Sequence, residues 1–465
     1  MNRKSMIATG AALVLLLGGA GGAYYYVDHK KSAEEAAEKA EKESLSLFSF
    51  DSNSVKGIDI TNDEGYFKMS FGDGGEWSLD ETDYPYDFDL NDYNLNVIAA
   101  SMSRLKADHK AEVQNGDLSK YGLDSPMEII CHTADGDHTL LVGSSSVTNE
   151  FCYVMKPDDD TVYCIDSAEG EKLRVDVASL RDPYMLSIND SDIMQFSEVH
   201  NGEVRYDLSR VIDGNVLWTL NAPQTGVSID AITVNTVLTN LVRVESKSFG
   251  GFTKDESELA KYGLDKPAYV FTVVTDEKTI KLEFADFGPD SEEVWCYNAD
   301  SCEVFSITSG EAAFLSGKWS DLTVKQAMSV PFMSAASLEI NVDGETHTLN
   351  IDHEKPSYVF DGTDVTAKGS EEASAEFEYL YASVSEIKHN GYRDDVPEKM
   401  GEAACTFRYT LTDGTVRELA LVPIDDNNYW AYTDGVCLGM TVEKSAVTGS
   451  SGCLNFIERL TAALA

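Results

Sequence analysis

The chain has 465 residues, of which 43% are hydrophobic, and it carries 36 basic against 80 acidic side chains, for a formal net charge of −44. This length exceeds one ordinary hydrophobic core and predicts about three domains of roughly 150 residues each, while the apolar content excludes wholesale disorder. An acidic field of this strength repels nucleic-acid phosphates and anionic lipid surfaces, so we expect no nucleic-acid partner.

The N-terminal segment predicts export of the rest of the chain. Residues 1–5 include Arg3 and Lys4 and are predicted to stay in the cytoplasm, whereas residues 6–27 contain no charged side chain. That apolar run is long enough to cross a bilayer core of about 30 Å as a transmembrane helix or signal anchor. A signal peptide cleaved before Tyr24 is the alternative. Both interpretations place the bulk of the chain outside the cytoplasm, and the first predicts a single-pass protein of the cell membrane.

A charged, helix-prone spacer is predicted over residues 28–45, and the body beyond it repeats itself. The peptide LSKYGLDSP at 118–126 returns as LAKYGLDKP at 259–267, an offset of 141 positions (259 − 118). Trp77 and Trp218 share this offset (218 − 77), and a third, degenerate copy is expected to follow. The predicted modules span 46–186, 187–328 and 329–465.

Each copy is predicted to contain an amphipathic helix followed by paired strands. Apolar residues step by 3, 4 and 3 positions and so share one helix face: Leu95, Ile98, Met102 and Leu105, then Val234, Val237, Leu241 and Val244, then Phe377, Leu380, Val384 and Ile387. Hairpin turns are predicted at Asp135-Gly136, Asp276-Glu277 and Asp413-Gly414. The predicted fold class is α+β, as three tandem repeats of an antiparallel sheet with packed helices, preceded by one transmembrane helix.

The repeated nonapeptide is predicted to be a structural junction of the Schellman type. In such an ending, a short helical turn stops at a residue in the left-handed conformation, and the next apolar residue folds back onto the turn. The junction residues are Leu118, Tyr121, Gly122, Leu123 and Pro126 in the first copy and Leu259, Tyr262, Gly263, Leu264 and Pro267 in the second. The proline prevents the helix from resuming. The third copy keeps Gly401 but has Glu402 in place of leucine, so its junction is predicted to be degenerate.

These junctions and the strand pairs after them resemble the bacterial family called domain of unknown function 4340. The strand-pair residues that carry the resemblance are Tyr153, Val154, Val162, Tyr163 and Ile165, with Tyr297, Val304, Phe305 and Ile307 in the second copy. The resemblance covers most of the chain after Leu45 and is weak in the third copy. It implies an exported, membrane-tethered protein, often associated with ABC-type export systems of the gliding-motility type, and it implies no catalytic residues.

No motif of the sequence indicates an enzyme, a metal site or a cofactor. The peptide DFDLNDYNLNVI places Asp87, Asp89 and Asn91 at the opening spacing of a calcium loop, but Asp92 stands where glycine is required and Ile98 where the bidentate glutamate belongs. No HExxH pair, G-x-S-x-G elbow or phosphate-binding glycine loop is present. No catalytic residue, metal ligand or cofactor is therefore predicted, and weak calcium binding at acidic hairpin tips stays open.

Eight cysteines, an even number in a chain predicted to be exported, leave disulfides open. Cys296 and Cys302 flank one hairpin tip and are candidates for a bridge if they stand opposite each other. Cys152 and Cys164 flank another tip, but Cys164 is predicted to face Tyr153, so that pair would need a shift of one residue in register.

The sequence favours a non-enzymatic, extracytoplasmic binding or scaffold protein that meets a membrane protein complex, with an ABC-type transporter as the partner that the resemblance implies. Because the body is strongly acidic, a partner surface rich in Lys and Arg is expected. The alternative is a protein that binds a cell-wall glycan or small ligand, which a concave cluster of exposed aromatic side chains would favour. An enzyme is the third interpretation, and a pocket with converging carboxylates or His would favour it.

Overall fold

The structure is a computed structural model that describes residues 43–113, 116–213, 215–342, 344–355, 357–367 and 371–465. The predicted cytoplasmic end, the predicted transmembrane helix and most of the predicted spacer lie outside these residues. Among the helices that the structure describes, none is both long and apolar enough to span a membrane.

Three antiparallel sheets follow one another along the described residues, which confirms the predicted α+β class and the tandem repeat. The first sheet has the order β3-β2-β1-β5-β6-β7-β8-β4 and consists of β1 Val55–Thr61, β2 Tyr66–Phe71, β3 Trp77–Thr82, β4 His109–Lys110, β5 Met127–Thr133, β6 Gly136–Ser145, β7 Phe151–Met155 and β8 Tyr163–Asp166. The second has the order β11-β10-β9-β13-β14-β15-β16-β12 and consists of β9 Ile193–His200, β10 Glu203–Asp213, β11 Asn215–Ala222, β12 Ser248–Phe252, β13 Tyr269–Thr275, β14 Thr279–Phe284, β15 Glu293–Asn298 and β16 Glu303–Thr308.

The third sheet adds one edge strand to the same connectivity. Its order is β20-β19-β18-β17-β22-β23-β24-β25-β21, and it consists of β17 Ala335–Val342, β18 Glu345–Asp352, β19 Ser357–Phe360, β20 Thr363–Asp364, β21 Gly391–Tyr392, β22 Cys405–Leu411, β23 Val416–Pro423, β24 Asn428–Thr433 and β25 Met440–Glu443. Each sheet with its helices is called a repeat below. The first repeat lies in a compact unit that ends at Ser187, and the other two lie in a unit that begins at Ile188. The module ends at residues 186 and 328 stay predictions.

The helices of the described residues pack their apolar stripes onto the sheets. They are α1 Asp92–Ser103, α2 Ser167–Leu173 and α3 Val177–Leu180 in the first repeat, α4 Ala231–Leu241 and α5 Glu256–Leu259 in the second, and α6 Glu371–Ser385, α7 Ser445–Thr448 and α8 Cys453–Leu464 in the third. The stripes predicted on α1 and α6 are buried, including Leu105 and Ile387 just beyond the helix ends. On α4 the stripe differs by one residue, because Leu238 is buried and Val237 is only half-buried. Leu238 follows Val234 by four positions, which keeps it on the same face of the helix.

The chain ahead of β1 holds the C-terminal end of α1 in place through its backbone. The hydrogen bonds are Ala107 N–H to Leu45 O at 2.8 Å, Leu47 N–H to Leu105 O at 2.9 Å and Phe50 N–H to Ser103 O at 2.9 Å. In the third repeat, Ala327 N–H donates to Ile387 O at 2.7 Å and His389 N–H donates to Lys325 O at 2.9 Å. The segment that enters each of these repeats is thus tied to the residues that follow its main helix.

An aromatic side chain on the third strand of each repeat donates a hydrogen bond to the main helix. Trp77 Nε1–H donates to Asn96 Oδ1 at 3.1 Å, and Trp218 Nε1–H donates to Asn235 Oδ1 at 3.1 Å. In the third repeat, Tyr358 OH donates to Glu378 Oε1 at 3.1 Å. Each acceptor follows the first residue of the helical stripe by one position. The spacing that relates the two tryptophans therefore reflects a strand-to-helix contact present in all three repeats.

We expect Trp218→Phe and Asn235→Ala to destabilise the second repeat through one shared interaction. A net contribution of about 1 kcal/mol is usual for such a hydrogen bond, so the double variant should lose about that much less than the sum of the single variants. Native-state hydrogen exchange of α4 in the full-length chain would measure each loss. Additive losses would show that the indole does not depend on Asn235.

Both predicted junctions show the two backbone hydrogen bonds of a Schellman ending. In the first, Leu123 N–H donates to Leu118 O at 3.2 Å and Gly122 N–H donates to Ser119 O at 3.2 Å, with Gly122 at φ 63°. In the second, Leu264 N–H donates to Leu259 O at 3.0 Å and Gly263 N–H donates to Ala260 O at 3.2 Å, with Gly263 at φ 73°. Strand β5 begins at Met127, directly after the junction proline Pro126. Strand β13 begins at Tyr269, two positions after Pro267.

The tyrosines of the junctions fasten them to neighbouring chain. Tyr121 OH donates to Glu112 O at 2.9 Å, and its ring meets that of Tyr153 edge-on at 4.9 Å. Tyr262 OH donates to Gly250 O at 3.2 Å, and its ring lies 4.3 Å from that of Trp295. In the third repeat, Gly401 lacks a positive φ, unlike Gly122 and Gly263.

The candidate bridge between Cys296 and Cys302 is not formed. The register of β15 and β16 pairs Cys296 with Phe305, while Cys302 lies in the turn at φ 64°, and both thiols are free. Two cysteines on neighbouring strands can bridge only where the ladder places them opposite each other, and Cys302 lies three positions from the partner of Cys296 (305 − 302). Cys164 pairs with Tyr153, as the alternation predicted, so Cys152 and Cys164 are not opposite each other either.

One hairpin turn also differs from its prediction. The loop between β5 and β6 consists of Ala134 and Asp135, because Thr133 pairs with Gly136, which is already the first residue of β6. Gly136 has φ 130°, a conformation that favours glycine. The glycine thus closes the ladder instead of occupying the second loop position.

Candidate binding groove

A groove with a volume of about 760 Å³ opens along α1 in the first repeat. We call it the α1 groove; its walls are α1 with the residues after it, α2, and the segment that leads into α3. Asn91 caps α1 by accepting a hydrogen bond from Asn94 N–H at 3.2 Å, and Asn94 Nδ2 donates to Ser179 O at 2.8 Å. That side chain therefore ties the first turn of α1 to α3 at one end of the groove.

Four cations line this groove, although the chain as a whole is strongly acidic. Lys and Arg contribute four of the fifteen lining residues, compared with 36 of 465 in the whole chain. The four are Arg104, Lys106, Lys172 and Arg174, and all are exposed. The carboxylates in the lining are Glu169 and Glu171, so the groove has a local excess of positive charge.

The cations occur as two copies of one tripeptide pattern. Arg104 and Lys106 flank Leu105, and Lys172 and Arg174 flank Leu173. Both leucines are buried, with exposed fractions of 2% and 0%. Since the buried leucine anchors each tripeptide, its two neighbours face solvent at the rim of the groove. The two tripeptides lie 68 positions apart in the chain (172 − 104), and the packing of α1 on α2 brings them together.

Two of the four cations already have partners, and two do not. Lys172 Nζ forms an ion pair with Glu169 Oε1 at 2.6 Å, and Arg174 Nη2 donates to Gly143 O at 3.0 Å. Within the described ranges, the side chains of Arg104 and Lys106 make no hydrogen bond and no ion pair. Their charge is therefore available to a ligand.

The floor of the α1 groove is apolar and its far end carries a tyrosine. Val97 and Ala100 are half-buried, Ile98 is buried, and Tyr93 is 76% exposed. An apolar floor with a few charged groups at the rim is typical of ligand sites of 300 to 1,000 Å³. The groove therefore combines burial of an apolar body with recognition of negative charge.

The third repeat has a matching groove along α6, with a volume of about 610 Å³ and a different charge. Ile387 is the last residue of its helical stripe, as Leu105 is in the first repeat, and it is buried. Its neighbours Glu386 and Lys388 therefore correspond to Arg104 and Lys106. Glu443 also lines this α6 groove. Its rim has no excess of positive charge, so the α6 groove serves as a control for the effect of the cations in the α1 groove.

A carboxyl group is completely buried in the second repeat. Glu198 lies on β9, opposite Phe271 of β13 and Tyr206 of β10, with an exposed fraction of 0%. Neither carboxyl oxygen has a hydrogen-bond partner. Burial raises the pKa of Glu198 to about 7, against the opposite and smaller effect of the Arg205 charge. The group is therefore protonated more readily in the folded chain than an ordinary glutamate is.

The other repeats place isoleucine where the second has this carboxyl. Ile60 of β1 pairs with Ile129, Ile340 of β17 pairs with Phe407, and both isoleucines are fully buried. The position is thus a core position of the repeat, which Glu198 occupies without a partner that would satisfy it.

The residues weighed as calcium ligands do not form a metal site. Asn91 caps α1 with its side-chain oxygen, and the backbone of Asp89 accepts a hydrogen bond from Asp182 N–H at 2.7 Å. Across the described residues, no group of three or more His, Cys, Asp or Glu side chains is placed to hold a metal ion.

The sequence pattern indicates a structural role for the junctions but does not indicate the groove. The junction residues lie beside β6 and β14, where they shape the fold, and the structure does not bring them to the α1 groove. The missed residues are the four cations of the rim. The signal that could have found them is the repeated cation-leucine-cation tripeptide, RLK and KLR, in a chain otherwise dominated by acidic residues.

Comparison with known proteins finds one family. The model of the domain of unknown function (DUF4340) matches residues 77–258 and again residues 218–404, so the two overlapping matches begin at Trp77 and Trp218. Together they span well over half of the chain. No curated protein matches it significantly.

Among solved structures, the chain is similar to bacterial DNA polymerase III β subunits at very low scores. The β subunit of Thermotoga maritima is 8% identical with a TM-score of 0.14, over 86% of this chain and 95% of that one. The subunit of Borrelia burgdorferi is 10% identical with a TM-score of 0.15, over 88% and 95%. Similarity at this level supports no inference about the structure or the function of this chain.

Proposed function

The chain belongs to the DUF4340 family of unknown function, and from this premise we propose that it is a non-enzymatic, membrane-anchored binding or scaffold protein whose body meets a membrane protein complex outside the cytoplasm. The uncharged run at residues 6–27 supports the anchor, because it has the length of a bilayer span. An accessory role beside an ABC-type transporter is part of this proposal and stems from what the family resemblance implies.

The observation that carries the proposal is the α1 groove. It is open, has the volume of a ligand site, and presents Arg104 and Lys106 without partners among the described residues. Its lining includes no Cys and no His. Such a surface suits recognition of a partner.

The charge of the body supports a macromolecular partner with basic surface around the contact. A net charge of −44 attracts Lys- and Arg-rich surfaces and accelerates encounter with them. At about 1 M salt the Debye length is about 3 Å, so this attraction should weaken there.

Crosslinking in native membranes tests the proposed function. We expect an amine-reactive crosslinker to join the full-length chain to a membrane protein complex at physiological salt, and the yield to fall at about 1 M salt. Purified full-length chain should leave cell-wall and peptide substrates unchanged. Crosslinked membranes that contain only the monomer, or turnover of such a substrate, would contradict the proposal.

One observation favours the alternative of a glycan or small-ligand protein. In the α6 groove, Tyr379 is 53% exposed and its ring lies 6.2 Å from that of Phe456. Aromatic faces in a concave surface are suited to stacking on sugar rings. Binding of soluble cell-wall glycan that Tyr379→Ala abolishes would support this second candidate.

A further inference from the structure

We propose that the α1 groove binds an acidic, amphipathic peptide segment of the protein partner. This inference rests on the proposed function and adds the chemistry of the segment that is recognised. The negative charge of the whole body favours contact with basic surfaces. The cations of the α1 groove instead favour an acidic segment at this one place.

The charge of the lining favours an acidic occupant. Arg104 and Lys106 lie at the rim without partners in the described part of the chain, and Lys172 and Arg174 line the same groove. Glu169 and Glu171 also line it, so four cations stand against two carboxylates. Exposed charges are screened over about 8 Å at physiological salt, and a carboxylate seated beside Arg104 and Lys106 therefore interacts mainly with these two cations.

The length of the groove favours an elongated occupant. Tyr93 and Arg104 both line the groove and are eleven positions apart along α1 and its end (104 − 93), which corresponds to about 17 Å at 1.5 Å per residue. An elongated surface of this kind fits a peptide of about three helical turns better than a compact small anion. The apolar floor formed by Val97, Ile98 and Ala100 would bury the apolar face of that peptide, as in helix-in-groove recognition.

The charge of the rest of the chain favours binding at this one groove. Outside the groove the chain carries 78 acidic against 32 basic side chains (80 − 2 and 36 − 4), so the average field elsewhere repels an acidic segment. Repulsion elsewhere and attraction at one groove together raise the difference in affinity between the correct and incorrect positions. The α6 groove, with Glu386 in place of Arg104, would reject the same segment.

Peptide binding to the full-length chain in nanodiscs of zwitterionic lipid tests this inference. The probe is a fluorescein-labelled peptide of about twelve residues built from alternating Glu-Glu and Leu-Leu pairs, and fluorescence polarisation is the readout. The matched peptide with Gln in place of Glu is the charge control, because a Lys peptide would bind the acidic body elsewhere, and empty nanodiscs are the blank. We expect the acidic peptide to bind and the Gln peptide to bind at least about tenfold more weakly.

Matched variants assign the binding to the groove. Arg104→Glu combined with Lys106→Glu should weaken the acidic peptide about tenfold or more, whereas Lys388→Glu combined with Lys399→Glu, two exposed positions of the third repeat that change the net charge by the same amount, should alter its affinity by less than about twofold. Equal loss in both variants would mean that overall charge controls binding and would overturn the inference. Complete displacement of the peptide by inorganic phosphate or free glutamate would overturn it in favour of a small-anion site.

The peptide-binding and crosslinking experiments can fail independently of each other. If the acidic peptide does not bind but the crosslinked membrane complex is still captured, the groove inference fails and the scaffold function stands. If the double variant loses peptide binding and crosslinking together, the groove is the contact itself. If the peptide binds but no membrane complex is captured, the groove inference holds and the scaffold function fails.

Discussion

Replacing Glu198 with isoleucine is expected to stabilise the second repeat by about 3 kcal/mol above pH 7. The folded-state pKa of about 7 exceeds the ordinary value of 4.5 by about 2.5 units, and each unit corresponds to about 1.4 kcal/mol. Isoleucine occupies the equivalent core positions Ile60 and Ile340, so the space around β9 should accept it with little rearrangement.

The sign of the pH dependence follows from proton binding. Between pH 4.5 and 7 the folded protein holds a proton on Glu198 that the unfolded chain has lost, so the stability of the wild-type repeat falls as pH rises through this window. The Glu198→Ile variant has no carboxyl group at this position, so its stability does not fall through this pH window for this reason. The difference in stability between variant and wild type should therefore grow from about pH 4.5 to about pH 7 and then level off.

Hydrogen exchange of β9 and β13 in the full-length chain, followed over pH, measures this difference. Glu198→Gln should remove most of the pH dependence without adding apolar surface, and Glu203→Gln, at an exposed position of β10, is the control that should leave it unchanged. A variant whose stability follows the wild type in parallel across the whole pH range would show that Glu198 stays ionised when folded.

Gly122→Val is expected to destabilise the first repeat by about 2 to 4 kcal/mol. A side chain at φ 63° costs about 1 to 2 kcal/mol, and a Cβ there would stand 2.8 Å from Ser144 N, a backbone atom that cannot move alone. Gly263→Val should cost only about 1 to 2 kcal/mol, because its Cβ would meet Ala285 at 3.6 Å. Gly401→Val should cost least, since Gly401 lacks a positive φ and its Cβ would meet only the end of the Val422 side chain, at 3.1 Å.

The order of the three valine variants is the test, read from hydrogen exchange of the strands that follow each junction. The second repeat carries Ala285 where the first has Gly143, whose added Cβ would stand 2.2 Å from Tyr121 O. The first junction thus lies closer to its sheet than the second does. Equal losses at Gly122 and Gly401 would mean that the left-handed geometry and the contact with the Ser144 backbone add nothing to the cost at Gly122.

The sequence predicts well whatever depends on local pattern. The Schellman junctions, the stripes on α1 and α6 and the pairing of Cys164 with Tyr153 all follow from spacing and alternation over a few residues. The error on α4 has the same origin, because Val237 and Leu238 both fit a helical stripe and only the packing against the sheet decides between them. Cys296 and Cys302 do not stand opposite each other because the ladder pairs Cys296 with Phe305, which leaves Cys302 three positions away, in the turn.

What the sequence could not predict depends on residues that only the fold brings together. Arg104 and Lys172 are distant in the chain, so no local pattern shows that they share a groove. Glu198 follows Phe196 by two positions on a strand, which places it on the inner face, but its missing hydrogen-bond partner is visible only when the neighbouring strands are in place. Those two features are also the ones on which the proposals and the largest expected effect rest.

The backbone connection between the entering chain and the end of α1 has a mechanical consequence. A pull on Ser44 would load the bonds at Leu45 and Leu47 first, and these bonds end on Ala107 and Leu105. Force would therefore reach the rim of the α1 groove before it reached the sheet. If the body is anchored at its N-terminal end and a partner is bound in this groove, tension between the two passes through only a few residues. The sheets then carry little of that tension.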